Sequence, residues 1–281
     1  MRRAAGDRPR LPRSHAAIAL RITVALPTAA GADPPPATGP APDAPIAPDL
    51  PSHRRERAAT LALRYRRATS FDGGTIELAV RRPLANRWWA DAAIGLQLGI
   101  ASDRRAITLT NPRLGLGLVV RPRLIATVEL GLPAASASGD DGAFAAAHAA
   151  LAPVDPSALG PRTASLAVTV SPRWIAGKAF AQVALGITQL IPADLPNRTL
   201  LRADLGGGIV VAGPVHLAAT FATTAEVQGP GAGATFVHRL ALAAQIDTRH
   251  AELTAGVAAP LDRRERDRDL VELFLTARAR F

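Results

Sequence analysis

The chain has 281 residues, 48% of them apolar and 20% charged, with a formal net charge of +10, 4% aromatic residues and no cysteine. The missing cysteines exclude a disulfide scaffold, a thiol nucleophile and any metal site built on thiolates. No window supplies the roughly 18 uninterrupted apolar residues of a membrane helix, so if so apolar a chain meets a membrane, it does so as strands.

Residues 1–32 read as a signal peptide. Arg2, Arg3, Arg8, Arg10 and Arg13 precede an apolar stretch at 16–26, interrupted by Arg21, and Ala30-Gly31-Ala32 forms a small-residue cleavage site before Asp33. These arginines leave with the leader, so the basic balance says little about partners. Residues 33–57 hold eight prolines between Pro34 and Pro51 and are predicted as an extended periplasmic linker.

From Ala58 onward apolar residues recur at every second position, the period of a strand with one apolar face. Twelve segments follow. The first five carry Ala59/Leu61/Leu63/Tyr65, Ile76/Leu78/Val80, Trp88/Ala90/Ala92/Ile94/Leu96/Leu98/Ile100, Leu114/Leu116/Leu118/Val120 and Leu124/Val128/Leu130/Leu132. The next four carry Leu166/Val168/Val170, Ala181/Val183/Leu185/Ile187, Leu201/Leu205/Ile209/Val211 and Val215/Leu217/Phe221. The last three carry Phe236/Leu240/Leu242/Ile246, Leu253/Val257 and Val271/Leu273/Leu275/Ala277/Ala279/Phe281. No Asp, Glu, Lys or Arg falls on these faces. Tight links at 83–87, 121–123, 171–173, 212–214 and 247–249 alternate with longer polar ones at 68–74, 101–111, 134–162, 192–198, 228–234 and 261–269.

That alternation predicts an all-β, transmembrane, up-and-down antiparallel barrel of about 12 strands over 58–281, with turns periplasmic and loops extracellular. A soluble β-sandwich also hides one apolar face. The choice falls on the barrel because the apolar face is mostly Leu, Val, Ile and Ala, suited to lipid tails, while its opposite mixes Gly, Ala and Thr with charges of both signs. Tyr65, Trp88, Trp174, Phe236 and Phe281 are placed at the membrane interfaces.

The pore-lining candidates are Arg64, Arg66, Glu77, Arg81, Asp91, Arg113, Glu129, Lys178, Arg202, Asp204, His216, Glu226, Arg239 and Glu252. Arg121, Glu272, Arg278 and Arg280 share the polar face, which leaves a modest positive excess and a weak preference for anions. The competing reading is that these charges pair across strands to stiffen the wall, with Arg202 and Asp204 as one such pair. His216 reads as a polar filler. His238, the one ionisable residue on the apolar face, invites comparison with the outer-membrane phospholipase, but no serine falls on a neighbouring lipid-facing position. The stretch 143–151 has helix propensity inside the longest loop, where it could constrict the pore or merely cap it.

The last strand, alternating to a terminal Phe281, resembles the C-terminal signature by which bacterial outer-membrane barrels are recognised by their assembly machinery. Asn111-Pro112-Arg113-Leu114-Gly115-Leu116-Gly117 and Leu130-Gly131-Leu132-Pro133 resemble the central hairpin of the transporter family named after the meta-pathway of phenol degradation. That resemblance implies passive uptake of small organic solutes. The function expected is a porin-like outer-membrane channel rather than an enzyme, with no cofactor, metal or nucleic-acid partner. Lipid, small solutes and the assembly machinery are the partners expected. The alternatives are a structural barrel plugged by 134–162 and a secreted soluble β-protein.

Overall fold

The computed structural model describes residues 50–68, 71–101, 104–135, 160–229, 232, 236–262 and 271–281. The predicted signal peptide, linker residues 33–49 and the helix-prone stretch 143–151 lie outside the described residues. What is described is all strand and connection.

The strands, in chain order, are β1 (Ala58–Ala68), β2 (Phe71–Ala85), β3 (Trp88–Ala101), β4 (Arg104–Leu109), β5 (Arg113–Arg121), β6 (Leu124–Gly131) and β7 (Thr163–Ala176), followed by β8 (Ala179–Pro192), β9 (Arg198–Ala212), β10 (Val215–Gln228), β11 (Phe236–Asp247), β12 (Ala251–Pro260) and β13 (Val271–Arg280). Each pairs antiparallel with its chain neighbour except β4 and β5, which both pair with β3; β1 pairs with β13, and the β2–β3 pairing closes the ring. β4 and β5 share one position in it. β4 lies along Leu96–Ala101 of β3, and β5 along Trp88–Ala93. The barrel is therefore twelve strands around, as the alternation predicts.

Its polarity is inverted. Leu61, Leu78, Ile94, Leu116, Leu185, Leu205, Leu242 and Leu273 stand exposed on the outside, whereas Gln97, Gln182, Asp204, His216, Arg239, Glu252 and Glu272 are buried within. An apolar surface running around the whole barrel is far larger than a water-soluble monomer carries, and it is stable only against lipid. β9 has 15 residues, more than the roughly 9–11 that a tilted strand needs to cross the hydrocarbon.

Three connections differ from the sequence reading. The predicted loop 68–74 is a tight hairpin, since Gly74, Gly73 and Asp72 continue the β1–β2 register through Ala68↔Phe71. Most of the predicted loop 101–111 is strand β4. The predicted turn at 171–173 lies inside β7, and the chain reverses at Gly177-Lys178, where Gly177 has φ 57°, a left-handed conformation that glycine adopts without steric cost. Pro172 survives in the strand because the hydroxyl of Ser171 donates to the Val183 carbonyl at 2.7 Å, replacing the N–H that proline lacks.

The motif around Asn111 has a mechanical role. Its side-chain amide donates to the carbonyls of Gly160 (2.7 Å) and Thr163 (3.1 Å) and accepts from the N–H groups of Ala134 (3.0 Å) and Ala135 (2.9 Å). Both ends of the 134–162 connection are thus tied to the joint between β4 and β5. Gly117 faces inward beneath Trp89, which is fully buried, and a Cβ there would overlap the indole.

Leu205 sits outward in the middle of β9. Leu205→Arg should destabilise the folded barrel by roughly 2–4 kcal/mol, as arginine does near the bilayer midplane, measured by urea unfolding in lipid vesicles. Unchanged stability would contradict the outward register.

Candidate functional site: the lumen and the segment that crosses it

Thirteen of the fourteen pore-lining candidates face the interior: Arg64, Arg66, Glu77, Arg81, Asp91, Arg113, Glu129, Arg202, Asp204, His216, Glu226, Arg239 and Glu252. Lys178 does not. It stands exposed in the β7–β8 turn, because β7 continues past Pro172, and Arg121 likewise ends β5 at the exposed rim. The five aromatics predicted at the interfaces all lie on the outer surface, Trp88 and Trp174 near the short turns and Tyr65 and Phe236 near the opposite rim.

The lumen is organised in three levels. At the short-turn end, residues 50–57 enter the barrel before β1 begins. Leu50 packs against Phe180, Ala184 and Ala218, on β8 and β10, across the ring from β1. The segment therefore traverses the lumen. Polar contacts hold its backbone: Gln182 Nε2 donates to the Pro51 carbonyl at 2.8 Å, and Arg81 Nη1 donates to the carbonyls of Arg54 at 2.6 Å and Ser52 at 3.3 Å. Arg278 Nη1 donates to the Ser52 hydroxyl at 3.2 Å.

Arg54 anchors the segment electrostatically. Its guanidinium pairs with Asp247 and, at 3.3 Å, with Glu252. Arg280 joins the same two carboxylates at 2.5 and 3.1 Å and reaches Glu56 at 3.4 Å. Arg54, Asp247 and Glu252 expose no more than 7% of their side chains, so removing one partner would strand a buried charge. His53 is held well below its usual range, at about 4, first by burial and then by the nearby Arg173 guanidinium. It is neutral at physiological pH.

Above the segment lies a cavity of about 200 Å³ lined by Glu77, Arg81, Asp91, Arg113, Glu129 and Arg278 among small residues. Arg81 forks onto Asp91 at 2.6 and 2.9 Å, Trp89 Nε1 donates to the same carboxylate at 2.9 Å, and Arg113 bridges Glu77 and Glu129. The third level, toward the long connections, is richer in cations. Arg64, Arg66 and Arg239 converge on one carboxylate, Glu272, at 2.8, 2.5 and 2.7 Å. Arg202 pairs with Asp204 at 2.6 Å, as the sequence predicts, and Arg198 with Glu226 at 2.5 Å.

Sequence reading missed Arg173, which is buried with its guanidinium 5.1 Å from the Phe180 ring. Inward parity counted along β7 from Thr163 would have found it, had 171–173 not been read as a turn. It also missed Arg54 and Leu50, for which the sequence carries no local signal. On the outer face His238 Nδ1 lies 2.6 Å from Thr223 Oγ1, between the rings of Phe221 and Phe236. Asp262 is engaged by the backbone N–H of His238 rather than orienting the imidazole. Among the described residues no cluster of His, Asp or Glu is arranged to hold a metal.

No protein-family profile matches the sequence. No curated protein matches it either. Solved structures do match in fold. An outer-membrane channel from Pseudomonas putida F1 superposes with a TM-score of 0.56 over 83% of this chain and 100% of that one, at 14% identity. The translocator domain of the autotransporter NalP from Neisseria meningitidis gives 0.51 over 82% and 90% at 10% identity. LpxR from Salmonella typhimurium gives 0.50 over 79% and 100% at 11% identity. At such identities the likeness is one of fold, that of an outer-membrane barrel.

A cysteine-free chain lends itself to a labelling test. Cysteine placed at Ser52 should react with a maleimide at least about tenfold more slowly than cysteine at Lys178, and Arg54→Ala should remove most of the difference, because a buried ion pair is costly to break. Equal rates in the unaltered segment would show that it does not occupy the lumen.

Proposed function

We propose that this protein is a narrow channel of the outer membrane through which small solutes cross passively, with a weak preference for anions and no covalent chemistry. The observation that carries the reading is the charged interior of a closed barrel, with space of about 200 Å³ above a segment retained by side-chain contacts. A wall needed only for rigidity has no use for unfilled polar volume. Eight strands leave an interior that side chains fill and sixteen leave a wide aqueous channel, so twelve accommodate a narrow path that a short peptide segment can obstruct. The clustering of Arg64, Arg66 and Arg239 around Glu272 on the lumen wall supports the anion preference.

A second reading, a closed structural barrel, is favoured by the same segment, which crosses the lumen at the short-turn end. Among the described residues the plug would then be 50–57; most of the 134–162 connection expected in that role lies outside them. The segment decides between the two readings: a gate is displaceable and a permanent plug is not.

Planar-bilayer recording separates them. Deleting 33–54 should raise single-channel conductance several-fold over the intact protein, and in a salt gradient both should show a reversal potential on the anion side. Absence of current in the folded deletion variant would refute the channel. Acidification gives an independent check. The His53 pKa is lowered in the seated state, so between its ordinary value of 6.5 and about 4 the released segment binds more protons. Seating therefore weakens as pH falls through that window. Open probability should rise from pH 7 to pH 4, and His53→Gln should flatten part of that rise.

A further inference from the structure

The strand registers place two cations in one lateral row on the outer face. Arg67 of β1 pairs with Asp72 of β2, Asp72 with Ile100 of β3, and Ile100 with Arg105 of β4. Arg67 continues the outward series Leu61, Leu63, Tyr65, and Arg105 begins the outward series with Ile107 and Leu109. Both arginines are exposed, and among the described residues neither is paired with a carboxylate. Asp72, the acid between them, accepts a hydrogen bond of 2.8 Å from the Tyr65 hydroxyl. Three inter-strand spacings separate the two arginines, about 14 Å.

One row toward the membrane centre the outward positions are Tyr65, Gly74, Leu98 and Ile107. Gly74 contributes no side chain, and a notch of about 270 Å³ opens there between Leu63, Tyr65, Ile76, Leu98, Leu273 and Leu275. A notch whose outward lining is mainly apolar, with Arg64 and Thr75 also at its wall, thus lies directly under a pair of cations, at the rim of the β3–β4 and β12–β13 connections, away from the short turns.

We propose that this face, β1 to β4, binds one molecule of a diphosphorylated, multiply acylated glycolipid of the lipid A type. One acyl chain fills the notch at Gly74, and the phosphates meet Arg67 and Arg105. The guanidinium is the side chain best shaped for phosphate, which it engages through two parallel N–H donors. Placed where hydrocarbon gives way to headgroups, an unpaired cation gains from an anionic headgroup. The two-arginine span selects the ligand: a glycerophospholipid brings one phosphate and can satisfy one of them, whereas a headgroup with a phosphate at each end can reach both. The proposal concerns the outer wall and is independent of what passes through the lumen.

Native mass spectrometry of the detergent-folded protein tests it with three probes: bisphosphorylated lipid A, its monophosphorylated form and phosphatidylglycerol. The bisphosphorylated form should be retained as a one-to-one adduct about tenfold more tightly than either of the others. The double variant Arg67→Gln/Arg105→Gln should lose that advantage while keeping the heat-modifiable gel migration of a folded barrel. Gly74→Leu, which fills the notch and leaves both arginines, should weaken retention of all three lipids. Equal retention of phosphatidylglycerol by the unaltered protein would overturn the two-phosphate assignment. Undiminished lipid A binding by the folded double variant, or by folded Gly74→Leu, would overturn the site.

Discussion

Everything in this molecule depends on the lateral hydrogen bonding of its backbone in a medium that offers no other partner. A strand edge exposed to hydrocarbon leaves N–H and C=O groups unsatisfied at several kcal/mol each, so the sheet must close, and here it closes through β2–β3. Closure dictates the inversion of polarity, because one face of every strand then meets lipid and the other meets an interior too wide for side chains to fill as a dry core. The continuous registers from β5 to β13 and from β13 to β3 satisfy that demand without large interruptions. Where the chain does interrupt them, a side chain compensates: Ser171 supplies the donor missing at Pro172, and Asn111 ties the joint between β4 and β5 with bonds to four backbone groups.

An interior lined by charges carries its own demand. Ions in a confined, partly desolvated space are costly unless paired, and the wall meets this by distributing arginines and carboxylates so that each has a partner within reach. Small residues make the arrangement possible. Gly117 leaves room for the Trp89 indole, and Gly256 does the same for the Phe274 ring. Both rings lie against the wall and leave the axis to the polar side chains.

The period-two signal made the fold legible because lipid enforces it along the outward positions of every strand, with charges such as Arg67 and Arg105 admitted only toward the rim. The connections were less legible. Pro172 looks like a turn residue by propensity, yet the serine before it makes a proline tolerable inside β7, and a misplaced turn carried Lys178 inward and left Arg173 uncounted. β4 is short and opens on a charged pair, Arg104-Arg105, so its alternation is hidden among loop-like residues. The lumenal role of residues 50–57 had no local signature at all. Arg54 meets Asp247 across 193 residues of sequence, and Leu50 finds its pocket on strands that only the closed barrel brings opposite. Proline-rich composition describes a chain that is extended, and an extended chain fits down a narrow barrel as well as it spans a periplasm.

The charge bookkeeping of the lumen separates obstruction from selection. At the short-turn end Arg54, Arg278 and Arg280 are matched by Glu56, Asp247 and Glu252. Arg54 and Glu56 belong to the segment, and if it withdraws, Arg278 and Arg280 still face Asp247 and Glu252. Arg55 and Arg57 leave with the segment as well, so withdrawal widens the path and removes cationic charge from that end, while the Arg278/Arg280 and Asp247/Glu252 balance on the wall stays in place. At the opposite end, among the described residues, Arg64, Arg66 and Arg239 share Glu272. In the proposed channel, a solute entering from the long-connection side would meet the arginine cluster around Glu272 first and the 50–57 segment second, and because the two are built from different residues, either can be altered without the other.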